Sequence, residues 1–381
     1  MNERRTAVVV GGGIGGLAAA AALAGRGWQV RVLERAAEFG EVGAGLSLWA
    51  NGTRALDTLG LGTAVRAHSA PETEAGIRDR RGRWLARTDT AELARRHGAV
   101  VMVHRATLLD ILREALPQDA LRAGVAVTRV RADGPQAEVV HDGGVMRADL
   151  VVGADGIRSA VRRSLWPDAP GPRYAGYTAW RTVVTPGRAL QAGGESWGRG
   201  ERLGLATLPD GRVYLYGVAS VPAGGRSADG ELAELRRRFG RWHDPIPALL
   251  DAAVEEQVMR HDIVDLPPLA SFATGRAALL GDAAHAMTPN LGQGANQALE
   301  DAVTLAALLD AHPHVPDALA AYDRERRPRT QKIAARSRRI GAVAHWASPP
   351  AVAVRDAAVR LTPARSALRA MAPVAGWRPP A

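Results

Sequence analysis

Along its length the chain alternates short apolar runs with amphipathic stretches. Residues 8–10, 29–33, 100–103, 150–153 and 277–280 are runs of mostly apolar residues bounded by glycine or charge, the pattern of strands buried in a sheet. Between them lie helix-period patterns at 17–24, 51–59, 105–116 and 158–165. In 105–116, Leu108, Leu109, Ile111, Leu112 and Leu116 fall on one face. The middle of the chain breaks this rhythm. A hairpin is expected at 76–88 around Arg80-Arg81-Gly82, and strands at 125–130 and 137–141 with a turn at Asp142-Gly143-Gly144. Further strands are expected at 174–184, 202–208 and 212–218, the last two joined by Pro209-Asp210-Gly211. Residues 42–47 read as a glycine-punctuated strand or loop. Helices are predicted at 231–240 and 246–257, from the 288–296 loop to residue 309, at 317–348, and at 351–371 with a break at Pro363. Strands alternating with helices, interrupted by a β-rich insert, predict an α/β fold with a second, sheet-based domain.

Composition narrows the classes. A chain of 381 residues, 46% hydrophobic, holds two cored domains. With no cysteine there is no thiol nucleophile, disulfide framework or Cys-x-x-Cys redox pair. The net charge of +10 is carried almost wholly by scattered arginines, Lys332 being the sole lysine, so a nucleic-acid surface is not expected. Arg4-Arg5 before an uncharged stretch superficially resembles a signal or membrane segment, but the glycines at 11, 12, 13, 15 and 16 interrupt it. A cytoplasmic protein without an integral membrane span is the expectation.

Glycines and acids supply the chemistry. Gly11, Gly13 and Gly16 form G-x-G-x-x-G between the first apolar run and the first helix, and Glu34 ends the next strand. In this context Gly11 permits the tight turn, Gly13 lets a pyrophosphate approach the backbone, Gly16 lets helix and strand pack, and Glu34 suits a ribose hydroxyl. Asp155 and Asp282 end two further apolar strands, where open α/β sheets bind ligands, although Asp155 also reads as a helix cap. Residues 288–296 form a second glycine-rich loop feeding a helix N-terminus, a site for an anion or polar ring. Arg105 opens a predicted helix, an unfavourable place for a cation unless an anion lies beside it; a solvated surface arginine is the alternative. Tyr174, Tyr177, Trp180, Trp197, Tyr214 and Tyr216 are as readily core as the wall of a pocket for a planar ligand. His285 reads as structural rather than as a general base.

Three segments together resemble the single-component, class A FAD-dependent aromatic monooxygenases. They are Gly11 to Gly16 with Glu34-Arg35, Asp149 to Gly156, and Gly281-Asp282-Ala283-Ala284-His285 through Pro289 and Gly292-Gln293-Gly294-Ala295-Asn296. The resemblance implies an FAD/NAD(P)-binding Rossmann-type (GR2-like) domain at 1–70, 98–170 and 272–345. It further implies a substrate-binding β-sheet domain at 71–97 and 171–271, with a C-terminal helical segment at 346–381. It assigns Glu34 to the adenosine ribose, Arg105 to the pyrophosphate, Asp282 to the ribityl chain, and Gly292 to Asn296 to the isoalloxazine. Ser47 and the backbone at Val127 would also line the FAD site, and Asp155-Gly156 would serve FAD and NAD(P)H. Residues 174–181 resemble the first substrate-domain strand of salicylate- and urate-type hydroxylases. Arg202 and Tyr214 match the urate enzymes' substrate-orienting Arg and Tyr, with Tyr177, Trp180 and Trp197 as further substrate contacts. Ala179 stands where those enzymes carry Asn; losing that amide costs about 1–3 kcal/mol and argues against urate. The implied reaction hydroxylates or epoxidises an aromatic or heteroaromatic small molecule through a flavin C4a-hydroperoxide, consuming NAD(P)H and O2. Alternatives are a flavin-dependent reductase or halogenase, the latter needing a lysine near the flavin, and an NAD-dependent dehydrogenase.

Overall fold

A computed structural model describes residues 4–40, 45–72, 75–190 and 193–380. Of the strand or loop expected at 42–47, residues 42–44 lie outside these.

Thr6–Val10 (β1) is central to the first sheet because it is apolar on both faces. It pairs in parallel with Gln29–Leu33 (β2) and Leu150–Gly153 (β12), Val8 lying opposite Arg31 and Val151. The sheet is extended by Leu121–Arg122 (β8) beyond β2, and by Ala277–Leu279 (β19) and Ala273–Thr274 (β18) beyond β12. The alanine-rich helix Ile14–Ala24 (α1) lies against Arg105–Glu114 (α5) and Gly294–Ala311 (α10). Small residues allow this closeness: a Cβ on Gly16 would stand 1.9 Å from the Gly11 carbonyl oxygen.

The second sheet runs Met259–Asp265 (β17), Arg173–Val184 (β13), Val213–Ala219 (β16), Glu201–Thr207 (β15), Glu195–Trp197 (β14), Ala75–Asp79 (β5), Trp84–Thr88 (β6). Its pairs are antiparallel except β14 with β5. Period-2 alternation sorts its two faces. Trp180, Leu203, Val213 and Leu215 pack on Glu231–Phe239 (α7) and Ile246–Asp251 (α8) through Leu235, Phe239 and Leu250. Tyr214 and Tyr216 face the other way, toward the first sheet's loops.

Two three-stranded sheets complete the β structure. One joins Val127–Arg131 (β9), Ala137–His141 (β10) and Gly144–Ala148 (β11); the other joins Gly45–Leu48 (β3), Val101–His104 (β7) and Ser69–Pro71 (β4). Short helices Ala50–Thr58 (α2), Gly62–Ala67 (α3), Thr90–His97 (α4), Ala160–Leu165 (α6) and Asp282–His285 (α9) connect them. The chain ends in three helices, Val315–Ala344 (α11), Pro349–Leu361 (α12) and Ala364–Ala375 (α13).

Several elements differ from expectation. The helix expected over 246–257 stops at Asp251 and resumes as a single tight turn, Glu255–Gln257. The strands β11, β14 and β17 and the helix α4 had no apolar run to announce them; pairing and packing partners hold them instead. Among the described residues no helix is long and apolar enough to cross a membrane, and no cluster of potential ligands could hold a metal.

Candidate active site

One cavity of about 1260 Å³ opens between the carboxyl ends of the first sheet and the tyrosine face of the second. It exceeds the roughly 300–1,000 Å³ of a single small-molecule site. At one end it is walled by Gly11, Gly13, Glu34, Arg35, Val127 and Asp155. Gly16 is not in the wall but lies behind it, beneath Gly11. A Cβ on Gly13 would meet nothing within 4 Å, so the backbone there is open to a bulky anion. Glu34 braces the turn itself: Oε2 accepts from the Gly12 N–H at 2.7 Å and Oε1 from the Ala36 N–H at 2.8 Å. Asp155 is a helix cap, as its alternative reading has it, and it also lines the cavity. Its Oδ2 caps the start of α6 by accepting from Ala160 and Val161, while Oδ1 is buried without a partner. Burial is the main cause pushing its carboxyl up. Arg105 does open α5, and Asp282 is the largest charge opposing the cost of its burial.

Asp282, Pro289, Gly292, Gln293, Gly294 and Ala295 form the next part of the wall, with Ser47 and Arg105. Here too a Cβ on Gly294 would meet nothing within 4 Å. Asn296 belongs to the scaffold rather than the wall. Its Oδ1 accepts from the Trp49 N–H at 2.9 Å, and its amide donates to the Ser47 and Gly292 carbonyls. Both loops hang on one buried polar cluster. Asp301 accepts from the Gly281 N–H and from His285 Nε2 at 2.6 Å, which gives His285 the structural role expected of it. Gln293 Oε1 accepts from Asn51 and Gln297. Arg326, fully buried, bridges Asp301 at 2.7 Å and Glu300 at 2.5 Å. Burial alone would raise the Asp301 carboxyl, but His285 and Arg326 outweigh it and hold it at about 2.

The ring end is walled by Ala179, Arg181, Glu195, Trp197, Arg202, Tyr214 and Tyr216. Arg202 is buried and already partnered: Nη1 stands 3.3 Å from Glu195 Oε2 and Nη2 donates to Asn290 Oδ1 at 2.7 Å. Glu195 also accepts from Tyr216 Oη and Trp197 Nε1, and despite burial the adjacent guanidinium holds its carboxyl below the usual range. Burial raises the Tyr214 phenol, keeping it a neutral donor.

Two expected substrate contacts are elsewhere. Trp180 faces α7, its Nε1 donating to Glu231 Oε2 at 2.6 Å; with Ala179 and Arg181 turned toward the cavity, strand alternation turns Trp180 away. Tyr177 lies one layer behind the wall, its ring stacked on His345 at 4.1 Å and its hydroxyl accepting from Asn290. Lys332 is exposed on α11, outside the cavity wall. Sequence reasoning missed Glu195, Asn290, Trp49, Glu72 and the wall contributed by α13. For α13 the spacing of Leu368, Met371, Val374 and Ala375 was a usable signal; Glu195, in a three-residue strand, gave none.

An extended ligand with a diphosphate, hydroxyls and a polar planar ring fits this donor set: open glycine backbone, carboxylates and Arg105 at one end, a helix-capped glycine loop at the other. The family model described as an FAD binding domain matches residues 4–337. The chain is 40% identical over 366 residues to the aurachin C monooxygenase/isomerase of Stigmatella aurantiaca, covering 95% of each chain. It is 35% identical over 375 residues to the 2-heptyl-3-hydroxy-4(1H)-quinolone synthase of Pseudomonas aeruginosa, covering 96% of each. The crystal structure of Klebsiella pneumoniae HpxO complexed with FAD and uric acid superposes with a TM-score of 0.92 at 31% identity, covering 98% of this chain and 97% of that one.

Proposed function

The chain belongs to the family of FAD-dependent aromatic and heteroaromatic monooxygenases, and on that premise we propose that it oxygenates a neutral, electron-rich heteroaromatic ring held against Arg202, Glu195 and Tyr214. One observation carries the reading: Arg202, the buried cation of the ring end, is neutralised by Glu195 within the wall itself, whereas Arg181 is the half-buried one. At Arg202 a carboxylated ring would meet an ion pair rather than a free guanidinium, and its desolvation there would go uncompensated. A relative named for a 4(1H)-quinolone agrees with a fused nitrogen heterocycle, and Ala179 offers no amide to a purine edge.

When bound, FAD supplies the redox and oxygen-transfer chemistry, with NAD(P)H as electron donor and O2 as co-substrate. The protein's tasks are binding, orientation and exclusion of water. Gly13 and Arg105 would hold the pyrophosphate, Glu34 the ribose, Asp282 the ribityl hydroxyls, and Gly292 to Ala295 the ring system. Tyr214, kept neutral by burial, would donate to an oxo substituent on the substrate ring, and the Arg202–Glu195 pair would fix its other edge. Tyr216, Met102 and Ala206 would exclude water from the same face. A need for NAD(P)H and the absence of cysteine both suit the cytoplasm.

The test is oxygen-dependent NAD(P)H consumption by the FAD-loaded protein, with mass spectrometry of the product under isotopically labelled O2. Neutral 4-quinolones are expected to stimulate it and gain one oxygen atom, and Arg202→Ala to raise KM for them. Stimulation by anionic aromatics alone, or an unchanged KM in Arg202→Ala, would reject the reading.

A further inference from the structure

The cavity wall continues past the residues assigned so far. Pro71 at the end of β4, Leu93 on α4, Val100 before β7, Ile340 on α11, and Met371 and Val374 on α13 line a further arm of it. Sequence separates these residues widely, and α13 brings them together by lying against α2, α4 and β6. The helix is held there by its own carbonyls. Arg336 donates to Ala370, Arg329 to Pro373 at 2.7 Å and to Val374 at 3.1 Å, and Arg54 to Ala375 at 2.7 Å and to the Trp377 carbonyl at 2.8 Å. Cations on the last turn of a helix also oppose its dipole.

The arm is continuous with the ring end. Met102 packs on Tyr214 and Ala206 on one side, and its strand β7 pairs with β4, Val101 lying opposite Pro71. It is also apolar. Of its ionisable neighbours, Arg336 is committed to the Ala370 carbonyl, and Glu72 sits in surroundings whose burial pushes its carboxyl up to about 7. None of the residues assigned above to FAD or to the ring is among those that line it. We propose that the arm takes a flexible hydrocarbon side chain carried by the heteroaromatic ring, so that the substrates are amphiphilic ring compounds rather than compact polar aromatics. The inference rests on the ring reading above.

Binding of 4-quinolones bearing methyl, butyl or heptyl chains at C2 tests it, read as perturbation of the flavin spectrum of the holoenzyme. Affinity is expected to rise about fourfold for each methylene buried, until the arm is full. Met371→Trp, which fills the arm, should abolish the difference between butyl and heptyl compounds; Ile340→Phe serves if that variant does not retain flavin. Equal affinity for all three chains, or a chain-length gradient that survives a flavin-loaded arm-filling variant, would overturn the inference. The two readings fail separately. A gradient in binding without NAD(P)H consumption leaves the arm and removes the ring-oxygenation reading, whereas turnover of methyl and heptyl compounds that bind with equal affinity does the reverse.

Discussion

A guanidinium taken out of water needs a compensating charge, and Arg202 finds it in Glu195. Glu195→Gln should therefore convert the ring end into a cationic site. The expected result is a gain in affinity for benzoate- or salicylate-like anions, a loss for neutral rings, and a fall in stability of about 3 kcal/mol from the uncompensated charge, read by a substrate panel and urea unfolding. Glu72 gives the opposite case, an acid in apolar surroundings. Its carboxyl, at about 7 rather than 4.5, binds a proton more tightly in the folded state. The stability this contributes is complete below about pH 4.5 and is lost as pH rises through 7. Glu72→Gln should flatten the pH dependence of the melting temperature between those limits. Gly45 carries a steric burden, since a Cβ there would stand 2.8 Å from the Tyr214 ring. Gly45→Ala should displace that ring and raise KM more than it weakens flavin binding, measured as KM and flavin Kd side by side.

At the scale of elements, the packing of α10 on α11 matters most, because Glu300, Asp301 and Arg326 lie between them and both the Gly281 turn and the loop at Gln293 depend on the same cluster. Replacing Arg326 by Met leaves buried Asp301 with His285 alone and buried Glu300 with Arg329 alone. A loss of about 3–5 kcal/mol is expected, together with faster flavin release, seen in urea titration and in the rate of flavin fluorescence recovery. Acid acts on the same cluster. Asp301 is held at about 2 against an ordinary 3.8, so its contribution is fully present above 3.8 and disappears as pH falls through 2. A flavoprotein that sheds its flavin in that window before losing its helical signal would match this order. The strand–glycine–helix unit of β1 and α1 was legible in the sequence because its register is local. Glu34 and Asp282 were legible for the same reason, each ending its own strand. The cluster that holds the Gly281 turn, Arg326 above all, comes from other helices, and no local pattern marks which arginine among many is the buried one.

For the molecule as a whole, the division into a nucleotide-binding sheet and an aromatic-bearing sheet could be read from where the β-rich segments fall. Which aromatics face the cavity could not. A single position of strand parity decides that Tyr214 lines it while Trp180 is core, and parity depends on pairing partners far away in sequence. The last helix was legible as amphipathic but not as a wall of the site, since its apolar side has meaning only once α4 and α11 are in place. Arg54→Ala, which removes bonds to the Ala375 and Trp377 carbonyls, should loosen it. The cost is about 1.5–3 kcal/mol, and NAD(P)H use unaccompanied by product should increase, measured as hydrogen peroxide formed. The order in which the pieces leave the ribosome has a consequence for the cell. The glycine turn of β1 is made first, and Asp282 and Gly294 follow only after the whole second sheet, so a polypeptide that stops before Gly294 lacks one bank of the cleft. Riboflavin starvation would then accumulate completed, hollow molecules instead of stalled fragments. Such molecules would expose a greasy interior to chaperones and proteases until the vitamin returned.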